Sequence, residues 1–418
     1  MNPSPRGHAI RVLAEWLKTG AFPDRLIGDG VPDRALVMEI VLGVVRYRRL
    51  LRWIVDRYVV RAPDNLGLAG LLAGCYQILR MDRIPDHASV NETVAAVGRR
   101  AGTAGLLNAV LRRVSREREQ IQREIRRLPL AVRESHPDEL VDRWVSAFGP
   151  EATEALCRWN NTPAEVNIRV TERADGADAF RNELLAAGIE TAPHSADPEH
   201  FLVLPRGCRV SRLPGYDDGR FIVQDPATCA AVRLLDVREG HRVLDACAAP
   251  GGKTVLIAEQ LGKAGHLVAL DLHEDRIGRL RENLARAGYP DTEVMQGDAA
   301  RLSEETMGSR PFDRILLDVP CTNTGVIRRR PDARWRFSSK RLEVLTRSQQ
   351  RILAHAAGLL APGGILVYST CSLEREENEA VVRNWLEAGT GFALLREWRS
   401  VPPNSRMDGA YAAAVRRQ

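Results

Sequence analysis

The stretch Asp245-Ala-Cys247-Ala-Ala-Pro-Gly-Gly-Lys253-Thr254, preceded by the strand-like run Arg242–Leu244, decides how this chain folds. Small residues and two glycines between a strand-like run and an apolar-periodic segment let backbone amides approach a ligand closely. The start of the following helix adds a positive potential suited to a carboxylate or phosphate. There is no Gly-x-Gly-x-x-Gly here. Ala246 and Cys247 occupy the positions where Gly-x-x-x-x-Gly-Lys-Ser/Thr would begin, so dinucleotide and nucleoside triphosphate binding are disfavoured.

Outward from this stretch, residues 221–418 alternate strands and helices, with strands expected at 242–244, 267–270, 293–295, 313–317 and 365–368. Such alternation calls for an α/β, Rossmann-like parallel sheet with helices on both faces. Asp271 ends the second strand, where a carboxylate can accept from both ribose hydroxyls. Asp298 ends the third, suited to an adenine amino group, and Asp318 ends the fourth. One acid alone is more often a helix cap. Acids at successive strand ends, with the small-residue loop, match an S-adenosylmethionine pocket in the crevice where open sheets bind ligands.

Two cysteines follow strands in the same half: Asp318-Val-Pro-Cys321-Thr and Tyr368-Ser-Thr-Cys371-Ser. Strand ends of one sheet converge, so both thiols are expected to face one substrate. Carbon 5 of cytosine is too weak a nucleophile to take a methyl group unaided. A thiolate adding to carbon 6 makes it an enamine carbon. Protonation at ring nitrogen 3, assigned to Asp318, assists the addition. Lys253 in the pocket, or a helix N-terminus, favours the thiolate.

Residues 1–128 read as an all-α domain, with apolar stripes through Ile10, Leu13 and Leu17, Ile40 and Val44, Leu51 and Ile54, and Leu107, Val110, Leu111 and Val114. The last of these opens a helix expected to run to Pro129. Arg46, Arg48, Arg49 and Arg52 form a basic cluster, read as a solubilising surface or as an RNA-backbone contact. Residues 129–220 read as a small α+β module, with a helix at 138–159, strands at 166–170 and 201–204, and a helix at 177–187.

The net charge is +6, and only four of the 60 basic residues are lysine. Arginine suits phosphate and bases, so the composition permits a polyanionic partner. Seven cysteines without a Cys-x-x-Cys pair argue against disulfides and zinc, and the histidines have no metal-ligand spacing; no metal is implied. The N-terminal residues carry no apolar signal region and no apolar run is long enough to cross a bilayer, which predicts a cytoplasmic protein with no membrane association.

These motifs resemble those of the bacterial Sun/Fmu (RsmB-type) ribosomal RNA cytosine-5 methyltransferases. DACAAPGGKT (245–254), DVPCTNTGVIRRRPDARW (318–335) and YSTCSLEREENE (368–379) look like that family's cofactor loop, Pro-Cys motif and Thr-Cys motif. The resemblance implies Cys371 as nucleophile and Cys321 as the product-release residue. It implies cofactor contacts from Cys247, Ala248, Ala249, Pro250, Gly251, Gly252, Lys253, Asp271, Asp298 and Asp318. GVVRYRRLL (43–51), YQILRMDRIPDHASVNETV (76–94) and LLNAVLRR (106–113) look like the NusB-type helical domain of this subgroup, which points to small-subunit (16S) ribosomal RNA. Gln224-Asp225-Pro226 resembles the opening of the catalytic domain. Two departures stand out: Val319 replaces the usual alanine, and Asn167-Ile-Arg169 replaces Arg-Val-Asn. The expected enzyme is a monomer acting on an unpaired loop cytosine. Two alternatives remain open: the same chemistry on transfer RNA or a protein, and a non-catalytic RNA-binding protein of antitermination type.

Overall fold

The computed structural model describes residues 4–28, 30–31, 33–81, 85–97 and 102–418. Residues 1–3 of the N-terminal stretch and 82–84 of the segment 76–94 lie outside the described residues. The chain divides into two compact units, residues 1–162 with 327–336, and residues 163–326 with 337–418.

The first unit is helical. Ile10, Leu13, Ile40, Val44, Leu51, Ile54, Leu107, Leu111 and Val114 are all buried in one core, as the 3.6-residue stripes require. Helices Arg34–Asp56 and Asn65–Arg80 approach closely at Gly43, where an added Cβ would stand 2.0 Å from the Tyr76 ring. The expected helix to Pro129 is two pieces, Thr103–Arg116 and Arg118–Ile125, because Glu117 leaves helical geometry (φ −95°, ψ 12°). The helix expected at 138–159 is likewise two, Asp138–Phe148 and Pro150–Asn161. Gly149 adopts φ +83° between them and Pro150 starts the second helix, where its missing N–H costs nothing.

Most of the basic cluster is engaged within this unit. Arg49 donates to His136 O and pairs with Asp138, both at 2.7 Å, and Arg52 pairs with Asp56 at 2.7 Å. Arg48 lies over the Trp16 and Trp335 rings, 5.4 and 5.5 Å from their centres. The basic run after the Pro-Cys motif is packed here too. Arg334 is fully buried, donating to Ser135 O at 3.0 Å, Asn161 Oδ1 at 2.9 Å, and Arg46 O and Asn160 O at 3.2 Å. Arg328 sits 3.9 Å over the Trp159 ring, and Trp335 donates to Val45 O at 2.7 Å.

The second unit holds two sheets. In the smaller, β1 (Val166–Val170), β2 (Ala192–Pro193), β3 (Phe201–Leu204) and β4 (Phe221–Val223) form an antiparallel sheet in the order β2-β3-β1-β4. The helix Ala177–Ala186 packs Phe180 and Leu184 against Ile168, Leu202 and Phe221. Arg169, 4% exposed, bonds Gln224 Oε1 at 2.9 Å and Glu259 at 2.6 Å, while Asn167 donates to Asp225 at 3.2 Å. The altered Asn-Ile-Arg run thus braces the Gln-Asp-Pro motif.

The larger sheet contains β5 (Arg242–Ala246), β6 (His266–Asp271), β7 (Glu293–Gln296), β8 (Phe312–Asp318), β9 (Leu360–Thr370), β10 (Phe392–Ser400) and β11 (Ala410–Arg417). Its order is β10-β11-β9-β8-β5-β6-β7. Strands β5 to β9 run parallel, as the alternating pattern requires, and β10 and β11 add an antiparallel edge. Strand β5 lies between β6 and β8, so the strand order reverses there and the carboxyl ends open a crevice.

Candidate active site

Strand β5 delivers Asp245 to the interior, and the chain then turns sharply. Cys247 has φ +76° and Gly251 φ +103°; at Gly251 a Cβ would also stand 2.8 Å from Leu280 Cδ1. The loop is pinned to β6, with Cys247 N and Ala248 N donating to Leu270 O at 2.8 and 2.9 Å. Ala249 N donates to Asp271 Oδ2 at 3.0 Å, and Asn283 Nδ2 to Pro250 O at 2.8 Å. The helix Gly252–Leu261 starts with no side-chain cap, so its first N–H groups and positive end are left for a ligand.

The three strand-end acids differ in their surroundings. Asp271 is 1% exposed, accepting also from His273 N at 3.2 Å, with Arg276 at 3.4 Å. Asp298 is more open and caps the turn Ala299–Arg301 through Ala300 N at 2.9 Å. Asp318, at the end of β8, pairs with Lys253 Nζ at 2.7 Å. Burial opposes the charge on Lys253, but Asp318 and then Cys371 outweigh it and hold its pKa above the ordinary value. An uncapped helix start, a glycine-lined turn and acids beyond it fit a zwitterionic, ribose-bearing cofactor such as S-adenosylmethionine.

Strands β8 and β9 are neighbours with Asp318 opposite Ser369, so the two cysteine loops leave the sheet side by side. Cys321 Sγ and Cys371 Sγ are 3.4 Å apart. Cys321 is buried, 5% exposed, whereas Cys371 is half-buried. The contact with Cys371 and burial push the Cys321 thiol well above its ordinary pKa, so it keeps its proton at neutral pH.

Several residues that sequence reasoning passed over hold the two loops together. Glu377 is fully buried and accepts from Thr322 N at 2.9 Å, from Gln349 Nε2 at 3.0 Å and from the Thr322 hydroxyl. Its burial raises its pKa. Gln349 Nε2 also reaches Pro320 O at 2.9 Å. Asn378 accepts from Thr370 Oγ1 at 2.5 Å and donates to Ser372 O at 3.0 Å. Both residues lie within the stretch 368–379, but the sequence does not show that Glu377 reaches the Cys321 loop or that Asn378 ties Thr370 to Ser372 within its own. Asn323, with φ +61°, places its side-chain oxygen 3.0 Å from Cys371 Sγ.

Among the described residues no cluster of histidine, cysteine or acid could hold a metal, and no helix is long and apolar enough to cross a membrane.

Comparison with known proteins agrees with this architecture. Residues 232–415 match the family described as 16S rRNA methyltransferase RsmB/F, residues 3–116 the NusB family, and residues 136–211 the ferredoxin-like domain of RsmF/B-like methyltransferases. The ribosomal RNA small subunit methyltransferase B of Pseudomonas putida is 37% identical over 404 residues, covering 94% of this chain and 91% of that protein. The protein of the same name from Klebsiella pneumoniae is 37% identical over 399 residues, covering 92% and 91%. Among solved structures, the protein named PH0851 superposes with a TM-score of 0.83 at 24% identity, covering 99% of each chain, a likeness of fold.

Proposed function

Because the chain belongs to the 16S rRNA methyltransferase RsmB/F family, we propose that it methylates carbon 5 of a cytosine in small-subunit ribosomal RNA, with Cys371 as nucleophile and S-adenosylmethionine as methyl donor. The observation that carries this reading is the pair of thiols 3.4 Å apart beside the Lys253–Asp318 ion pair.

Of the two sulfurs, Cys371 is taken as the nucleophile from the resemblance of its Thr-Cys motif, and its half-buried position, against the buried Cys321, supports that reading. Sulfur gives up its proton and bonds to carbon 6, the carbon 5–carbon 6 π electrons move to carbon 5–carbon 4 while the carbon 4–nitrogen 3 π pair moves onto nitrogen 3, and the proton released by the thiol is taken up at nitrogen 3, where Asp318 is the contact. The Lys253 ammonium favours anionic sulfur and keeps Asp318 oriented. S-adenosylmethionine, when bound, supplies an electrophilic methyl group to carbon 5. The loop residues Cys247, Ala248, Ala249, Pro250, Gly251, Gly252 and Lys253 would hold it, with Asp271, Asp298 and Asp318 beyond. The cycle closes when the carbon 5 proton leaves, the sulfur–carbon 6 bond breaks and the proton at nitrogen 3 returns to solvent, the one proton that transfer from a sulfonium releases. Cys321 serves here: it takes that proton while passing its own to the departing Cys371 sulfur, and so ends as it began.

A base inside a stem cannot reach such a crevice, so the target is an unpaired or extruded cytosine, met by a monomer in the cytoplasm. The test is transfer of labelled methyl groups to unmodified small-subunit RNA. Cys371→Ala is expected to abolish transfer, and Cys321→Ala to accumulate a protein–RNA adduct that runs slowly in a denaturing gel. Bisulfite mapping of RNA from a deletion strain identifies the target; loss of a protected cytosine in transfer RNA alone would move the activity there. Activity retained by Cys371→Ala would overturn the assignment of nucleophile.

A further inference from the structure

We propose that Asn323 is a positioning residue that holds Cys371 as a neutral, correctly aimed thiol until a substrate base arrives. The inference rests on the reading of Cys371 as the nucleophile, and goes beyond it by naming what restrains that sulfur.

Asn323 follows the Pro-Cys motif and sits in the left-handed region, φ +61°, which asparagine tolerates better than most residues. The orientation of its amide is settled by its own loop. Nδ2 donates to the backbone carbonyl of Cys321 at 3.0 Å, a contact that the side-chain oxygen could not make. The oxygen therefore points at the thiols, 3.0 Å from Cys371 Sγ and 4.0 Å from Cys321 Sγ.

An amide oxygen can only accept. It bonds the thiol form of Cys371 and repels the thiolate. The groups facing Cys371 thus pull in opposite directions. Cys321, from the loop after β8, lies 3.4 Å from the Cys371 sulfur; with the Cys371 hydrogen directed at Asn323, the Cys321 thiol is the one left to donate across that contact, and such a bond strengthens once Cys371 ionises. Lys253, at the start of its helix, favours the anion but is shared with Asp318. Glu377, against the Cys321 loop, is already taken up by Thr322 and Gln349. Asn323 alone among these opposes ionisation by direct contact. It also fixes the direction of the Cys371 side chain, so the sulfur is aligned before it is activated. A pair of thiols this close is open to stray alkylation and oxidation, and a neutral resting sulfur is protected from both.

The test needs neither RNA nor methyl donor. The rate of Cys371 alkylation by iodoacetamide is followed against pH in the full-length protein, resolved by peptide mass spectrometry. Asn323→Gly keeps the left-handed backbone free of strain and removes the acceptor. It is expected to speed alkylation at neutral pH about five-fold, with the midpoint about 0.7 pH unit lower, the effect of one ordinary hydrogen bond. Asn323→Asp substitutes a stronger, charged acceptor and should move the midpoint upward. Opposite displacements cannot come from general loosening of the loop. If both variants leave the profile unmoved, or move it the same way, the role of Asn323 is wrong. That outcome is separable from failure of the parent reading, which shows as methyl transfer by Cys371→Ala whatever Asn323 does.

Discussion

Asp245 is the place where the cofactor loop is expected to cost the fold most. It is 1% exposed; Oδ2 accepts from Thr254 Oγ1 at 2.7 Å, while Oδ1 has no hydrogen-bond donor. Burial pushes its pKa up from 3.8 to about 7, against smaller opposing effects of Thr254 and Lys253. A carboxyl that titrates higher in the folded chain than in the unfolded one makes stability fall as pH rises between the two values, because the unfolded chain releases its proton first. At about 1.4 kcal/mol per pH unit, the interval amounts to about 4 kcal/mol, fully present below the unfolded value and lost above pH 7. Asp245→Asn keeps the shape and the Thr254 bond but does not titrate. Its buried NH2 adds an offset of about 1–3 kcal/mol that is the same at every pH. The difference in unfolding free energy between the two proteins should therefore move by about 2–3 kcal/mol in favour of the variant from pH 5 to pH 8, the rest of the interval lying at lower pH. Urea midpoints taken at half-unit pH steps measure this directly. Parallel lines for the two proteins across that range would refute the reasoning, since they would mean that Asp245 is ionised throughout.

Two other substitutions probe the scaffold of the site. Glu377→Ala leaves Thr322 N without its buried acceptor, takes one from the Thr322 hydroxyl and leaves Gln349 Nε2 with Pro320 O alone, so a loss of about 2–4 kcal/mol is expected. With the loop freed, methyl transfer should fall at least as far at a temperature where circular dichroism still shows folded protein. Arg334→Met leaves four neutral oxygens without the buried donor that satisfies them, and should destabilise the helical unit by about 1–3 kcal/mol in thermal unfolding. Burial lowers the Arg334 pKa to about 9, with Arg46 adding to it, so the residue is charged at neutral pH and the loss should appear there.

The catalytic half was legible wherever the signal is local. A strand closing on or next to Asp245, Asp271 or Asp318 announces itself within a few residues, because a buried parallel strand is a short apolar run and its end is the first place a carboxylate can stand. Strands β10 and β11 gave no such signal. Ala410–Arg417 opens on a continuous apolar run, but one made mostly of alanine, a weak strand former, and Phe392–Ser400 is largely exposed and mixes apolar and charged residues without alternation. The arginines misled in the other direction. Arg46, Arg48, Arg49 and Arg52 read as a solubilising surface or an RNA-backbone contact, and nothing near Arg334 in sequence shows that Ser135, Asn160 and Asn161 hold oxygens ready to bury it. The two cysteines lie between these cases. Each motif places its thiol at a strand end, but neither says which strands are neighbours. That follows from the order β9-β8-β5, with Asp318 opposite Ser369. One strand interposed between β8 and β9 would add about 4.8 Å to the separation of the loops, and the same two motifs would then leave the sulfurs too far apart to touch. Strand order, fixed by packing far from either cysteine, is what turns two motifs into one site.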